Sequence, residues 1–210
     1  MANVGLFEAV VANDIEVVTR LLDAGEHPDL GDKEGNSSLA WAAGSGYTEI
    51  VKLLLERGAN TEITNRYEVR PIQHASNAGH SEIVRLLVDH GARFYSPEAR
   101  LNPLIGAASN GQLTVVRYLV EEKGVPVNDR DPEGGTALHS AALNGHVSVV
   151  EYLLQHGADP SMTNIHGNNV ISWVEAAMKL SGRTAETTQA HQRILQLLRS
   201  ARGMPRQSVG

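Results

Sequence analysis

The chain has 210 residues, 41% of them hydrophobic and 20% charged, which is ordinary for a folded soluble protein and enough for one sizeable domain or two small ones. A formal net charge of −6, a sequence pI of about 5.8 and no lysine or arginine run leave out the electrostatic footprint of a nucleic-acid binder. The absence of cysteine excludes disulfides and thiolate metal sites, the opening MANVGLFEAVVANDIEVV carries acids where a signal peptide is apolar, and no run approaches the roughly 20 apolar residues of a spanning helix, so the expected setting is the cytosol or nucleus, away from membrane.

From the N-terminus onward the chain repeats itself. Residues 1–31 keep Leu6, Ala9, Val17, Val18, Leu21 and Leu22 in a pattern that returns over 32–64, 65–96, 97–130, 131–163 and 164–199. Three ladders define the beat. Gly25, Gly58, Gly91, Gly124 and Gly157 are 33 residues apart each time, while Asn13, Gly46, Gly79, Gly111 and Gly145 step by 33, 33, 32 and 34. Ala9, Ala42, Ala75, Ala107 and Ala141 follow in phase, with Val174 one period later. A period of this length marks a stack of supersecondary units rather than a single globular motif.

The fifth period shows what each copy builds. Thr136 to Leu143 reads as a short helix with Leu138 and Ala141 on one side, ended by Asn144-Gly145. A second helix, HVSVVEYLLQH, sets Val149, Val150, Leu153 and Leu154 along one face and stops at Gly157, where a left-handed cap suits a residue without Cβ. The following ADPSMTNIHG is rich in turn formers. In the sixth period Ile171, Val174, Ile194, Leu197 and Leu198 keep the apolar pattern across a longer Ser181-Gly182-Arg183-Thr184 connection, and residues 200–210 read as a flexible tail.

The segment DPEGGTALHSAALNGHVSVVEYLLQHGADPSMT, residues 131–163, resembles an ankyrin repeat: Thr136, Leu138, His139 and Ala141 match the T-P-L-H-x-A signature, with Ala137 in place of its proline. GNSSLAWAAGSGYTEIVKLLLERGAN, VRPIQHASNAGHSEIVRLLVDHGAR and NPLIGAASNGQLTVVRYLVEEKG are weaker copies, so the resemblance spans nearly the whole chain. It implies an all-α fold, an ankyrin-repeat solenoid of stacked helix-turn-helix units with hairpin or turn tips, forming a single domain over 1–199. It also implies that His139 hydrogen-bonds near the start of its helix, with Thr136 as the local partner.

Chemical readings of the same residues fail on their surroundings. His139 and His146 could share a helix face as metal ligands only if the helix ran through Gly145, and no acid or cysteine completes the set. Gly134-Gly135-Thr136 lacks the preceding strand and the lysine of a phosphate loop. Ser140 beside His139 lacks an orienting acid and an oxyanion turn. The chain is therefore expected to have no catalytic, cofactor or metal site, and to act as a monomer that binds one or more partner proteins, as an adaptor or as a regulatory, inhibitory or assembly subunit.

The resemblance implies that contacts lie at the tips and first-helix ends. These are Lys33, Glu34, Asn36, Gly44 and Ser45, then Arg66, Tyr67, Val69 and Asn77, then Glu98, Leu101, Ser109 and Asn110, then Glu133, Leu143 and Asn144. Arg66 and Tyr67 lead because arginine and aromatic side chains dominate hot spots. Trp41 and Trp173 occupy one equivalent position, where core packing is the default and Trp41 the better groove residue. Arg66, Arg70, Arg93 and Arg100 stand against Glu62, Glu68 and Glu98, and the next tip sets Asp129, Asp131 and Glu133 around Arg130, a pattern that would polarise the tips along the array, although solvated tip charges are the default expectation.

Register breaks once. Gly91 to Pro103 takes 12 residues where Gly58 to Pro71 and Gly124 to Ala137 take 13, and the residue is regained before Gly124. With Gly106 inside the following helix, this junction is expected to be the softest of the stack, or remodelled for a partner through Phe94, Tyr95 and Leu101.

Overall fold

A computed structural model describes residues 5–93, 102–179 and 184–202, which form two compact units, Met1–Pro103 and Leu104–Gly210. Phe94, Tyr95, Glu98, Arg100 and Leu101 lie outside the described residues, as does the Ser181–Arg183 connection.

The first unit holds three helix pairs: α1 (Leu6–Val11) with α2 (Ile15–Asp23), α3 (Ser38–Ser45) with α4 (Thr48–Glu56), and α5 (Pro71–Ala78) with α6 (Ser81–Asp89). First helices are rich in small residues, so neighbours approach closely: Ala42, Ala43 and Ala75 are fully buried. Second helices are amphipathic, burying Ile50, Val51 and Leu54 on α4 and Ile83, Val84 and Leu87 on α6. Ser37 caps α3 by accepting from Ala40 N–H at 3.1 Å, and Asp14 caps α2 by accepting from Val17 N–H at 3.1 Å.

The glycine ladder is a ladder of left-handed residues. Gly46 (φ 80°) and Gly79 (φ 86°) close first helices, and Asn13 holds the same place at φ 56°, a conformation asparagine tolerates better than most. Between pairs the chain folds into tips. Asp32 accepts from the backbone N–H of Glu34 and Asn36 and from Asn36 Nδ2, and the Asn36 side chain, the largest cause, holds its carboxyl below the usual range. Adjacent tips are laced together by Arg66 N–H to Glu34 C=O at 3.0 Å and Asn65 Nδ2 to Asn36 Oδ1 at 2.8 Å.

The second unit takes up α7 (Pro103–Ser109) from Leu104 onward and contains α8 (Leu113–Arg117), α9 (Ala137–Leu143) with α10 (Val147–Gln155), and α11 (Val170–Met178) with α12 (Ala185–Arg202). α8 runs on into a π-helical turn, Tyr118–Glu122, giving five α-helical and five π-helical residues where α2, α4, α6 and α10 have nine. The residue regained before Gly124 is therefore absorbed as a wider turn inside the helix, not as a longer loop. Tyr152 O–H fastens that turn to the next repeat by donating to Glu121 Oε1 at 3.1 Å.

α12 is twice the length of the other second helices, at 18 residues, and reaches Arg202, past the point at which a tail was expected to begin. It buries Ile194, Leu195 and Leu198, whereas Leu197, expected inside, is only half-buried.

Histidines recur because they cover these glycines. A Cβ on Gly46 would lie 2.6 Å from His80 Cε1, and one on Gly111 2.6 Å from His146 Nδ1. His146 Nε2 also reaches Ser109 C=O at 2.9 Å, and His191 Nε2 reaches Leu143 C=O at 2.9 Å. The rings of His146 and His191 thus engage a carbonyl near the end of a first helix, where unsatisfied acceptors collect.

Candidate protein-binding surface

The signature residues are structural. Thr136 Oγ1 and His139 Nδ1 are 2.9 Å apart, both side chains are buried, and Thr136 caps α9. His139 packs edge-on against Trp173, ring centroids 5.5 Å apart, so Trp173 serves the fold. Burial lowers the pKa of His139, partly opposed by the backbone of Asn168, and burial lowers that of His74. Both rings fold neutral, so the unfolded chain takes up protons that the folded chain refuses. The stability they leave intact above the ordinary value of 6.5 is lost as pH falls through the histidine range. We expect the urea midpoint to drop between about pH 7.5 and about pH 5, and His139→Gln to flatten that drop.

Ser140 is half-buried on α9, and among the described residues no group of three or more histidines, cysteines or acids could hold a metal ion. No described helix is long and apolar enough to cross a membrane.

The contact candidates divide into those spent on the fold and those left outward. In the first unit, Asn36 is bonded to Asp32 and Asn65, Val69 and Asn77 are half-buried, and Lys33 and Glu34 are exposed. Arg66 Nη2 lies 2.8 Å from Glu34 Oε1 and 2.7 Å from the Tyr67 hydroxyl, with its guanidinium 4.8 Å from the Tyr67 ring centre. Arg70 Nε is 3.6 Å from Glu62. The expected tip polarisation is accordingly muted, since both arginines have acidic partners inside the same unit. In the second unit, Asn144 Nδ2 donates to Ser109 Oγ at 3.1 Å, Leu143 is half-buried, and Asn110 and Glu133 are exposed.

Trp41 departs from the core expectation. It is 39% exposed, held edge-on against Phe7 with ring centroids 5.8 Å apart. With Asn36, Ala40, Gly44, Ser45 and His74 it lines a hollow of about 270 Å³. Tyr67, 58% exposed, stands on the tip beside Asn65, which is tied to Asn36 on the hollow's rim. Sequence reasoning missed Ile165, 67% exposed at a tip. Its signal was an apolar residue in the register that holds Lys33, Arg66 and Pro132 elsewhere.

Comparison with known proteins agrees with this architecture. The family model for ankyrin repeats (3 copies) matches residues 6–98 and 94–164. The crystal structure of the ankyrin repeat protein EF0377 superposes with a TM-score of 0.76 at 25% identity, covering 95% of this chain and 98% of that one. Palmitoyltransferase AKR1 of Lachancea kluyveri is 40% identical over 78 residues, 37% of this chain and 10% of that enzyme, so the chain spans only a tenth of that relative. Paired short helices, left-handed glycine caps, stacked tips and these matches together place the chain in the ankyrin-repeat family.

Proposed function

We propose that the protein is a non-catalytic interaction module, working in the cytosol or nucleus, that binds a partner protein across the tips and first-helix ends of its first unit. Ankyrin repeats are generally protein-interaction modules. The observation that carries the more specific reading is the contrast within that unit: tip backbones and asparagine side chains are locked to one another, while Trp41 and Tyr67 are left exposed on this fixed frame. Rigid aromatic side chains on a preorganised surface lose little entropy on binding and are favoured as hot spots.

Affinity capture with cross-linking and mass spectrometry from the native source identifies the partner. Tyr67→Ala is then expected to weaken its binding by about thirtyfold, the measure of a hot spot near 2 kcal/mol. Arg66→Glu, which sets a like charge against Glu34, is expected to slow association. Unchanged affinity and association rate in both variants would remove the first-unit surface from consideration.

A further inference from the structure

The hollow beside Trp41 has a chemistry of its own. At about 270 Å³ it falls short of the roughly 300 Å³ at which small-molecule sites begin, and it suits one large side chain. It exists because Gly44 stands where other repeats carry Val11, Asn77, Ser109 or Leu143. Even a methyl group there would start 3.3 Å from His74 Cβ, so glycine both opens the space and lets the imidazole close beneath it.

No charged residue lines this space. Asn36, Ser45 and His74 supply polar edges, Ala40, Trp41 and Gly44 the apolar wall, and His74 is kept neutral by burial with its Nε2 lacking a hydrogen-bond partner. A charged anchor would be desolvated there without a counter-charge. A purely hydrocarbon one would leave the Ser45 hydroxyl and the His74 ring beside it without partners, Asn36 being already bonded to Asp32 and Asn65. An aromatic ring carrying a single hydroxyl answers both conditions, with its body against the indole and its oxygen at the polar edge.

Resting on the interaction surface proposed above, we propose that this hollow is a socket for an unphosphorylated tyrosine side chain presented by an extended segment of the partner protein. Phosphorylation of that tyrosine would bring between one and two negative charges into a site without a cation, so the modified partner is rejected. The Glu34–Arg66 pair at the neighbouring tip is already neutralised internally and does not compete for the anchor.

The test is an amide and indole chemical-shift titration of the full chain with N-acetyl-L-tyrosinamide, the corresponding phenylalanine and arginine amides, and O-phosphotyrosine, at millimolar concentrations. Tyrosinamide is expected to move the signals of Ala40, Trp41, Gly44, Ser45 and His74 and to bind about threefold to tenfold more tightly than phenylalaninamide, the factor one added hydrogen bond supplies. Argininamide and phosphotyrosine should leave those signals in place, and Ser45→Tyr, which fills the hollow from an exposed helix end, should abolish the tyrosinamide shifts. Absence of shifts at these residues, or equal shifts with argininamide, overturns the socket on wild-type protein alone. Partner binding that is lost in Tyr67→Ala yet unaffected by Ser45→Tyr would overturn the socket while leaving the interaction surface standing. Partner binding indifferent to Tyr67→Ala and Arg66→Glu would remove the surface, and the tyrosinamide titration would still decide the hollow.

Discussion

Gly46→Val is expected to cost about 2–5 kcal/mol, whereas Gly58→Val, one helix later in the same repeat, costs about 1–2 kcal/mol. The two glycines share a left-handed backbone, at φ 80° and 81°, so the strain of placing a β-branched residue there is common to both. They differ in what a side chain would meet. Nothing lies within 4 Å of a Cβ on Gly58, while a Cβ on Gly46 falls 2.6 Å from one atom of the His80 ring and 2.9 Å from another. His80 must then leave its place at the start of α6, adding an overpacking cost of about 1–3 kcal/mol. Gly145→Val should fall near the lower figure, because the nearest atom of His191 is 3.4 Å away. Urea unfolding followed through Trp41 fluorescence in a Trp173→Phe background measures the first unit directly. Equal costs at positions 46 and 58 would show that histidine packing adds nothing to the glycine requirement.

That contrast marks what the sequence could and could not convey. Left-handed helix ends recur as glycine, so a fixed period is visible in one chain without any coordinates. The cause of the histidine recurrence is not visible, because it lies in a ring from one repeat covering a glycine of the preceding one. Counting also located the extra residue between Gly111 and Gly124 but could not say that Tyr118–Glu122 would widen into a π turn instead of lengthening a loop. Trp41 and Trp173 share a register position yet differ in fate: Trp173 meets the buried His139, while Trp41 meets Phe7 and the gap left by Gly44. Candidate contacts at tips were legible as positions. Whether each side chain faced outward was not, as the inward bonding of Asn36 and the Asn144–Ser109 bond show, because that depends on the neighbouring repeat.

Thr136→Val is expected to destabilise the second unit by about 2–4 kcal/mol, against about 1 kcal/mol for Ser37→Ala in the first. Both residues cap a first helix from an extended backbone, so each substitution removes one N-cap. Ser37 serves only Ala40 N–H, and α3 has alanine where α9 has His139. The Thr136 hydroxyl serves His139 twice, accepting weakly from its N–H and pairing with Nδ1 at 2.9 Å, while the Thr136 backbone N–H donates to the same Nδ1 at 3.4 Å, in a site where both residues are only 1% exposed. Valine suits the backbone at φ −115° and ψ 169° and fills the space, so the excess cost comes from the buried imidazole nitrogen, which loses its 2.9 Å hydroxyl partner and keeps only the long 3.4 Å bond from the backbone N–H of residue 136. If that is the cause, His139→Leu made on top of Thr136→Val should cost less than it does in the wild type, since the stranded nitrogen is gone. Additive costs in that double-mutant cycle would mean that the hydroxyl acts only as a helix cap and that His139 is held by Trp173, burial and the backbone N–H of residue 136.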